Sequence, residues 1–239
     1  MRTNSEIRAA GRFDLSGRWL EAAMLTFVYF IIATIFSATF VGAVNLWIPG
    51  MGSAFALLLI PLAWSFTMTF LANHRREDRD PFDISHLFDG YRNGQFLRIF
   101  TTEFLLGIYV FLWSLLLIIP GIIKALSYSM TPYILRDRPD LQNNAAIELS
   151  MDMMQGHKAD LFWLYLSFIG WAILCCLTLG IGFFWLDPYM SASVAAFYED
   201  LKADYESQYG GAEEPVYGTT DNYQKKVFHP LTFQSSCVY

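Results

Sequence analysis

The chain has 239 residues, 54% of them hydrophobic and 16% charged, with a formal net charge of −6 at pH 7 and a mean hydropathy of +0.33. Soluble domains carry about 25% charged residues, so the composition argues against a soluble globular protein, and the acidic balance argues against a nucleic-acid partner. The charge is also missing in blocks: Glu21 alone between Leu20 and Ala72, Glu103 and Lys124 between Ile99 and Leu135, and Asp187 alone between Leu161 and Tyr198.

Taken in chain order, the first 19 residues carry Arg2, Arg8, Arg12 and Arg18 before the apolar run begins. That run is longer than the ~7–15 residues of a signal-peptide core, so it reads as a retained first span. A bilayer core of roughly 30 Å takes about 20 apolar residues per helix, and each block is long enough for two passes. Splitting each block at its Gly- or Pro-marked point predicts six helices, about 20–42, 53–72, 98–119, 121–135, 160–179 and 183–199. The outer turns are then "VGAVNLWIPGMG", Pro120-Gly121 and "LTLGIG". Pro ends a helix and Gly permits a tight reversal, so Pro120-Gly121 reads as the turn between the third and fourth spans. The six-helix region covers 1–201, and 202–239 reads as a polar, mobile tail.

Charge placement tests this layout. Fifteen of the 16 Lys and Arg residues fall in the N-terminal segment, the 73–98 and 136–158 loops or the tail, and six spans put all of these on one side. By the positive-inside rule that side is cytoplasmic, with both termini inside. Lys124 is the exception, near an outer turn.

A weak repeat runs through the chain. "LSGRWLEAAMLTFVYF", "RNGQFLRIFTTEFLLG" and "MQGHKADLFWLYLSFIG" each place a glycine (Gly17, Gly94, Gly156) just ahead of an apolar span. Short amphipathic stretches precede them, clearest at Ile84, Leu87, Phe88 and Tyr91 and again at Ile147, Met151 and Met154. These read as interfacial helices or as caps beneath the bundle. The second span of each unit holds a proline, Pro61, Pro132 and Pro188. The fold class is therefore all-α: a polytopic membrane protein built as three repeats of interfacial helix plus helical hairpin.

Chemistry is sparse. Cys175, Cys176 and Cys237 have no metal-ligand spacing, and no HExxH, GxSxG or P-loop occurs. No catalytic residue, metal or cofactor is expected. Lys124 and Asp187 are the ionisable residues nearest the outer side, and they form a candidate ion pair or polar pocket, against the alternative that each reaches water separately. Trp19, Trp47, Trp185 and Tyr189 fall near predicted interfaces as an ordinary aromatic belt.

Three stretches carry a resemblance: "LWSLLLIIPGIIKALSYSMTPYIL", "GHKADLFWLYLSFIGW" and "LTLGIGFFWLDPYMSASVAAFYEDL", with "GRFDLSGRW" a weaker one. On these the chain resembles a bacterial membrane-protein family known only as domain of unknown function 975. Pro132 and Asp187 depart from the apolar residues expected there. The resemblance implies six helices in the bacterial cytoplasmic membrane and no catalytic residues. The layout is also similar to the membrane portion fused to some glycerophosphodiester phosphodiesterases, without their catalytic domain. The function expected is a non-enzymatic scaffold or accessory protein in lipid or envelope processes. The alternative is a small-molecule or lipid transporter with a site between the Pro-containing helices. The partners expected are membrane lipids, with another membrane protein as the alternative, and no nucleic acid.

Overall fold

A computed structural model describes residues 2–47, 56–76, 82–92, 94–141 and 143–209, except the side chains at 40, 41, 47 and 118. Residues 48–52 of the expected first outer turn and the chain beyond 209 lie outside the described residues, as does the middle of the loop after His74; residues 41–47 of that turn are helical instead. Among the described residues the chain is helical throughout, with no strand.

Helix α1 (Asn4–Asp14) leads to α2 (Trp19–Phe36), which continues through a π-helical turn at Ser37–Gly42 into α3 (Ala43–Trp47). Next come α4 (Ile60–Arg75) and a 3-10 helix, Ile84–Tyr91. Then follow α5 (Phe96–Leu116), α6 (Ile118–Tyr128), α7 (Thr131–Asp137) and α8 (Asn144–Met153). The described chain closes with α9 (Lys158–Leu166), α10 (Ile169–Leu177) and α11 (Phe183–Tyr209).

Among the described residues four stretches are long and apolar enough to cross a membrane: Trp19–Leu46, Leu57–Arg75, Phe96–Leu116 and Lys158–Leu177. The expected 121–135 span is instead two short helices, parted at Ser129-Met130. Helix α11 is long, but Asp187, Glu199 and Asp200 interrupt its apolar character. It also runs eight residues past the boundary expected at 201, so residues 202–209 are helix and not tail.

Burial separates outer helices from inner ones. The apolar window of α2–α3 is 0% buried and that of α5 11%, against 61% for α4. Low charge on every face is what a helix bounded by hydrocarbon requires, whereas α4 can carry Ser65, Thr69 and Asn73 because protein surrounds it. Helices α4 and α7 run side by side, with Trp64 Nε1 donating to the Pro132 carbonyl (2.9 Å) and Arg136 Nη1 to the Met68 carbonyl (2.7 Å).

The ends of the inner helices meet in one ionic cluster. Arg75 makes two hydrogen bonds to Asp137, both 2.7 Å, and pairs with Glu199 at 2.6 Å. Tyr198 Oη (3.0 Å) and Lys202 Nζ (2.7 Å) also donate to Asp137. Arg75, Asp137 and Glu199 are evenly spaced in the chain, since 137 − 75 and 199 − 137 are both 62.

One turn geometry also occurs three times. Gly17, Gly94 and Gly156 have φ of +82°, +67° and +85°, and each stands two residues before a helix that begins at Trp19, Phe96 or Lys158. In each, the next residue's N–H closes the turn: Arg18 onto the Leu15 carbonyl (2.9 Å), Gln95 onto Arg92 (3.3 Å) and His157 onto Met154 (3.3 Å). Left-handed backbone at these positions disfavours any residue with a Cβ.

The amphipathic stretches pack against helices. Leu87 and Gly90 of the 3-10 helix are buried on α4, while Ile84, Phe88 and Tyr91 remain 38–48% exposed. At three residues per turn, positions 87 and 90 share a face, so the stripe expected from α-helical spacing does not form. The Gly90 N–H donates to Ser65 Oγ at 2.8 Å and holds that register. In α8, Ala146, Ile147, Leu149, Ser150 and Met153 are all buried, which covers more of the helix than one interfacial face.

Candidate functional site

Pro120-Gly121 does not form the turn between α5 and α6. The one extended residue there is Leu117 (φ −161°, ψ 142°), and Pro120 and Gly121 already lie in the first turn of α6. Proline costs nothing in a first turn, where its missing N–H would have no partner. Gly121 instead admits close packing, for a Cβ there would lie 2.7 Å from Ser114 Oγ and 2.8 Å from Ser114 Cα. The α10–α11 hairpin repeats the device: a Cβ on Gly182 would lie 2.6 Å from Cys175 Sγ. Its reversal falls at Leu179 and Gly180, both at positive φ.

The other prolines have ordinary places. Pro61 and Pro132 stand in the first turns of α4 and α7, while Pro188 lies inside the continuous helix α11. None marks a break between two spans.

Lys124 and Asp187 are not brought together. The Lys124 ammonium sits 5.1 Å from the Trp113 ring centre and 5.9 Å from that of Tyr128, with Met151 Sδ at 4.0 Å. Asp187, on α11, lies within electrostatic reach of Tyr29 on α2 and Cys175 on α10. Among the described residues no ion pair joins Lys124 to Asp187. Aromatic rings satisfy the lysine charge in part by cation–π attraction, so the helix carrying it needs no carboxylate opposite.

The residues that do converge on a cavity are others. A half-open cleft of about 620 Å3 lies between α1, α10 and α11. Arg8 and Arg12 line it from α1, Trp171, Leu174 and Cys175 from α10, Thr178 and Gly182 from the turn that follows, and Trp185, Leu186 and Tyr189 from α11, with Trp19 completing the wall. Arg8 and Arg12 are four residues apart, and that spacing places them on one helix face. Helix α1 is held against α11 at both ends. Arg2 pairs with Asp200 at 2.6 Å, and Gly11 passes so near α11 that a Cβ would lie 2.5 Å from Ser193 Oγ. Trp19 and Tyr189 are fixed by a ring contact at 6.2 Å, and Tyr189 by Phe168 at 5.0 Å.

The cleft is chemically two-sided. Its wall is indole, phenol and aliphatic carbon. Its base is cationic, and among the described residues neither Arg8 nor Arg12 has an ion-pair partner. Arg8 Nε is buried with no hydrogen-bond partner, a condition it shares, among the described residues, with Glu103 Oε1 and Thr131 Oγ1, neither of which lines the cleft. Arg8 as a whole is half-buried and Arg12 is exposed, so a carboxylate or phosphate in the cleft could reach both guanidinium groups. This is binding geometry for an amphiphile with an anionic head. Among the described residues no group of three His, Cys, Asp or Glu side chains is placed to hold a metal ion.

Sequence reading had counted Arg8 and Arg12 only as positive-side charge, and Trp19, Trp185 and Tyr189 only as belt residues. The side chain of Trp47 lies outside the described residues. The signal available was the i, i+4 arginine pair in "IRAAGRF", on a helix whose buried positions are Ile7 and Gly11.

Fold and cleft together define a class: an all-helical protein with helices apolar enough to cross a membrane and a cleft pairing cations with aromatic rings. Within it, the chain belongs to the family described as protein of unknown function (DUF975), whose model matches residues 1–127 and 114–205. No curated protein and no solved structure matches the chain.

Proposed function

We propose that this protein is an integral membrane protein of six spans, a non-enzymatic scaffold or accessory factor in lipid or envelope processes of the bacterial cytoplasmic membrane. The observation that carries the reading is the cleft between α1, α10 and α11, which opens beside apolar helices and has the two-sided character of a lipid. The surface around it fits the same environment. Leu115, Leu116, Leu117 and Ile119 form a run 63–75% exposed at the α5–α6 hairpin, an arrangement that water penalises and hydrocarbon does not.

The six spans group as three units of short helix plus hairpin. Supporting this are the three matched glycine turns and the 62-residue spacing of Arg75, Asp137 and Glu199. The basic residues then lie on the side of the ionic cluster, which the positive-inside rule makes cytoplasmic. Both termini are assigned to that side.

Native mass spectrometry of the full-length protein released gently from its own membrane tests the function. A lipid or a stoichiometric membrane-protein partner retained at fixed ratio is the result expected. A fully delipidated, partner-free protein that drives solute uptake when reconstituted would replace this reading with transport, the alternative in which Pro61, Lys124, Pro132 and Asp187 bound the path.

A further inference from the structure

We infer that the α1–α10–α11 cleft is a binding site for one anionic phospholipid, with Arg8 and Arg12 holding its phosphate and Trp171, Leu174 and Trp185 flanking an acyl chain. The inference rests on the membrane reading above and adds to it a place, a stoichiometry and a headgroup charge.

Three observations converge. The first is polarity along the cleft. Gly11 abuts Ser193, so Arg8 and Arg12 lie at the end of the cleft toward Asp200 and the ionic cluster, while Thr178 and Gly182 close the opposite, apolar end. The cleft thus runs from a cationic end to an apolar one, the order of head and chain in a lipid.

The second observation is unbalanced charge. Nearby basic residues in the structure are matched: Arg2 with Asp200, Arg75 with Asp137 and Glu199. Arg8 and Arg12 line this cleft without an ion-pair partner among the described residues, and Arg8 Nε is buried without an acceptor. A zwitterionic head brings its own cation and would leave part of that charge unanswered; a singly anionic diester would not. The third is the wall. Tryptophan suits the boundary between head and chain because its ring is apolar and its N–H is not, and Trp19, in ring contact with Tyr189, stands there, with Trp171 and Trp185 deeper in the apolar part. Its half-open side lets the rest of the lipid remain in the bilayer.

The test uses full-length protein in phosphatidylcholine vesicles, into which phosphatidylglycerol or phosphatidylcholine with brominated acyl chains is titrated. Bromine quenches nearby tryptophan, and the quenching lost on Trp171→Phe plus Trp185→Phe isolates the cleft rings. Near a charged membrane surface each arginine contributes about fivefold in affinity. Half-maximal quenching is therefore expected at a roughly tenfold or lower mole fraction for phosphatidylglycerol than for phosphatidylcholine. Arg12→Gln, whose side chain is exposed, should shrink that preference without disturbing packing, and Arg8→Gln plus Arg12→Gln should abolish it. Equal quenching by both lipids would overturn the anionic site while leaving a lipid-binding cleft. No cleft quenching by either would remove the lipid basis of the proposed function as well. Loss of the preference on adding inorganic phosphate at 10-fold excess over lipid would show an anion site that needs no chain, and would also overturn the assignment.

Discussion

Asp137→Asn tests whether the inner helices are held together by the ionic cluster. The Asp137 side chain is 9% exposed, and burial alone would raise its pKa. The hydrogen bonds and charges of Arg75 and Lys202 outweigh burial and hold it at about 2, below the ordinary 3.8. At 1.36 kcal/mol per unit, that depression corresponds to about 2 kcal/mol of stability at neutral pH. Removing one member of a buried pair can cost ~3–5 kcal/mol, but here Arg75 keeps Glu199, so the smaller figure governs. For a chain of this size each kcal/mol moves the unfolding midpoint by about 2–4 °C. Asp137→Asn in detergent should therefore melt about 4–8 °C below wild type at pH 7, followed by tryptophan emission. Because the folded carboxyl titrates below the unfolded one, its contribution is complete above about pH 4 and is lost as pH falls through about 2. The gap between the two proteins should close over that window. A variant that melts with wild type at pH 7, or a gap that persists unchanged at pH 2, refutes the argument.

Further outcomes follow from the backbone and from Lys124. Gly121→Ala and Gly182→Ala force a Cβ onto Ser114 and Cys175 and should each cost about 1–3 kcal/mol, whereas Gly107→Ala, with nothing within 4 Å, should be neutral or stabilising by up to ~1 kcal/mol; thermal midpoints compare them. Gly17→Ala, Gly94→Ala and Gly156→Ala should cost about 1–2 kcal/mol each from positive φ alone, and a much larger loss at one of them would show that the three turns are not equivalent. Lys124→Ala and Asp187→Ala should add without coupling, within about 0.5 kcal/mol in a double-mutant cycle. A larger coupling would restore the ion pair.

Apolar blocks without charge reported the membrane-compatible helices directly, because a helix bounded by hydrocarbon must be apolar on every face. Burial hides the inner helices from the same reasoning: α7 is seven residues long, and α11 carries two acids, Asp187 and Glu199, within the region expected to span. Pro-Gly at 120–121 misled because proline is as welcome in the first turn of a helix as in the turn before it. Leu117, which makes the reversal, has no turn signature at all. Gly121 earns its place through Ser114, a contact visible only once two helices are laid together. The cleft was illegible for a similar reason. Its cations come from residues 8 and 12 and its wall from 171 to 189, joined by α1 lying along α11, and the link that lays them together is one glycine opposite one serine.

The three proposed units share a glycine turn and differ in charge, and the differences fall where the units touch. At the 62-residue register the chain carries Arg75, Asp137 and Glu199. Three identical residues there would repel at the point where the inner helices converge, so the cluster requires the units to diverge. The same logic applies at the position four residues after each glycine. Glu21 and Asp160 are acids, whereas Arg98 reaches the Leu135 carbonyl at 2.9 Å and that of Leu141 at 3.1 Å, cations placed where a helix C-terminus attracts them. The segment ahead of each glycine diverges further. The 3-10 helix and α8 are packed against their neighbours, and α1 lies along α11, with Gly11 against Ser193, yet leaves two arginines facing a cavity. The proposed repeat is thus asymmetric at its junctions, and the junction of α1 with α11 borders the cleft of the proposed lipid site.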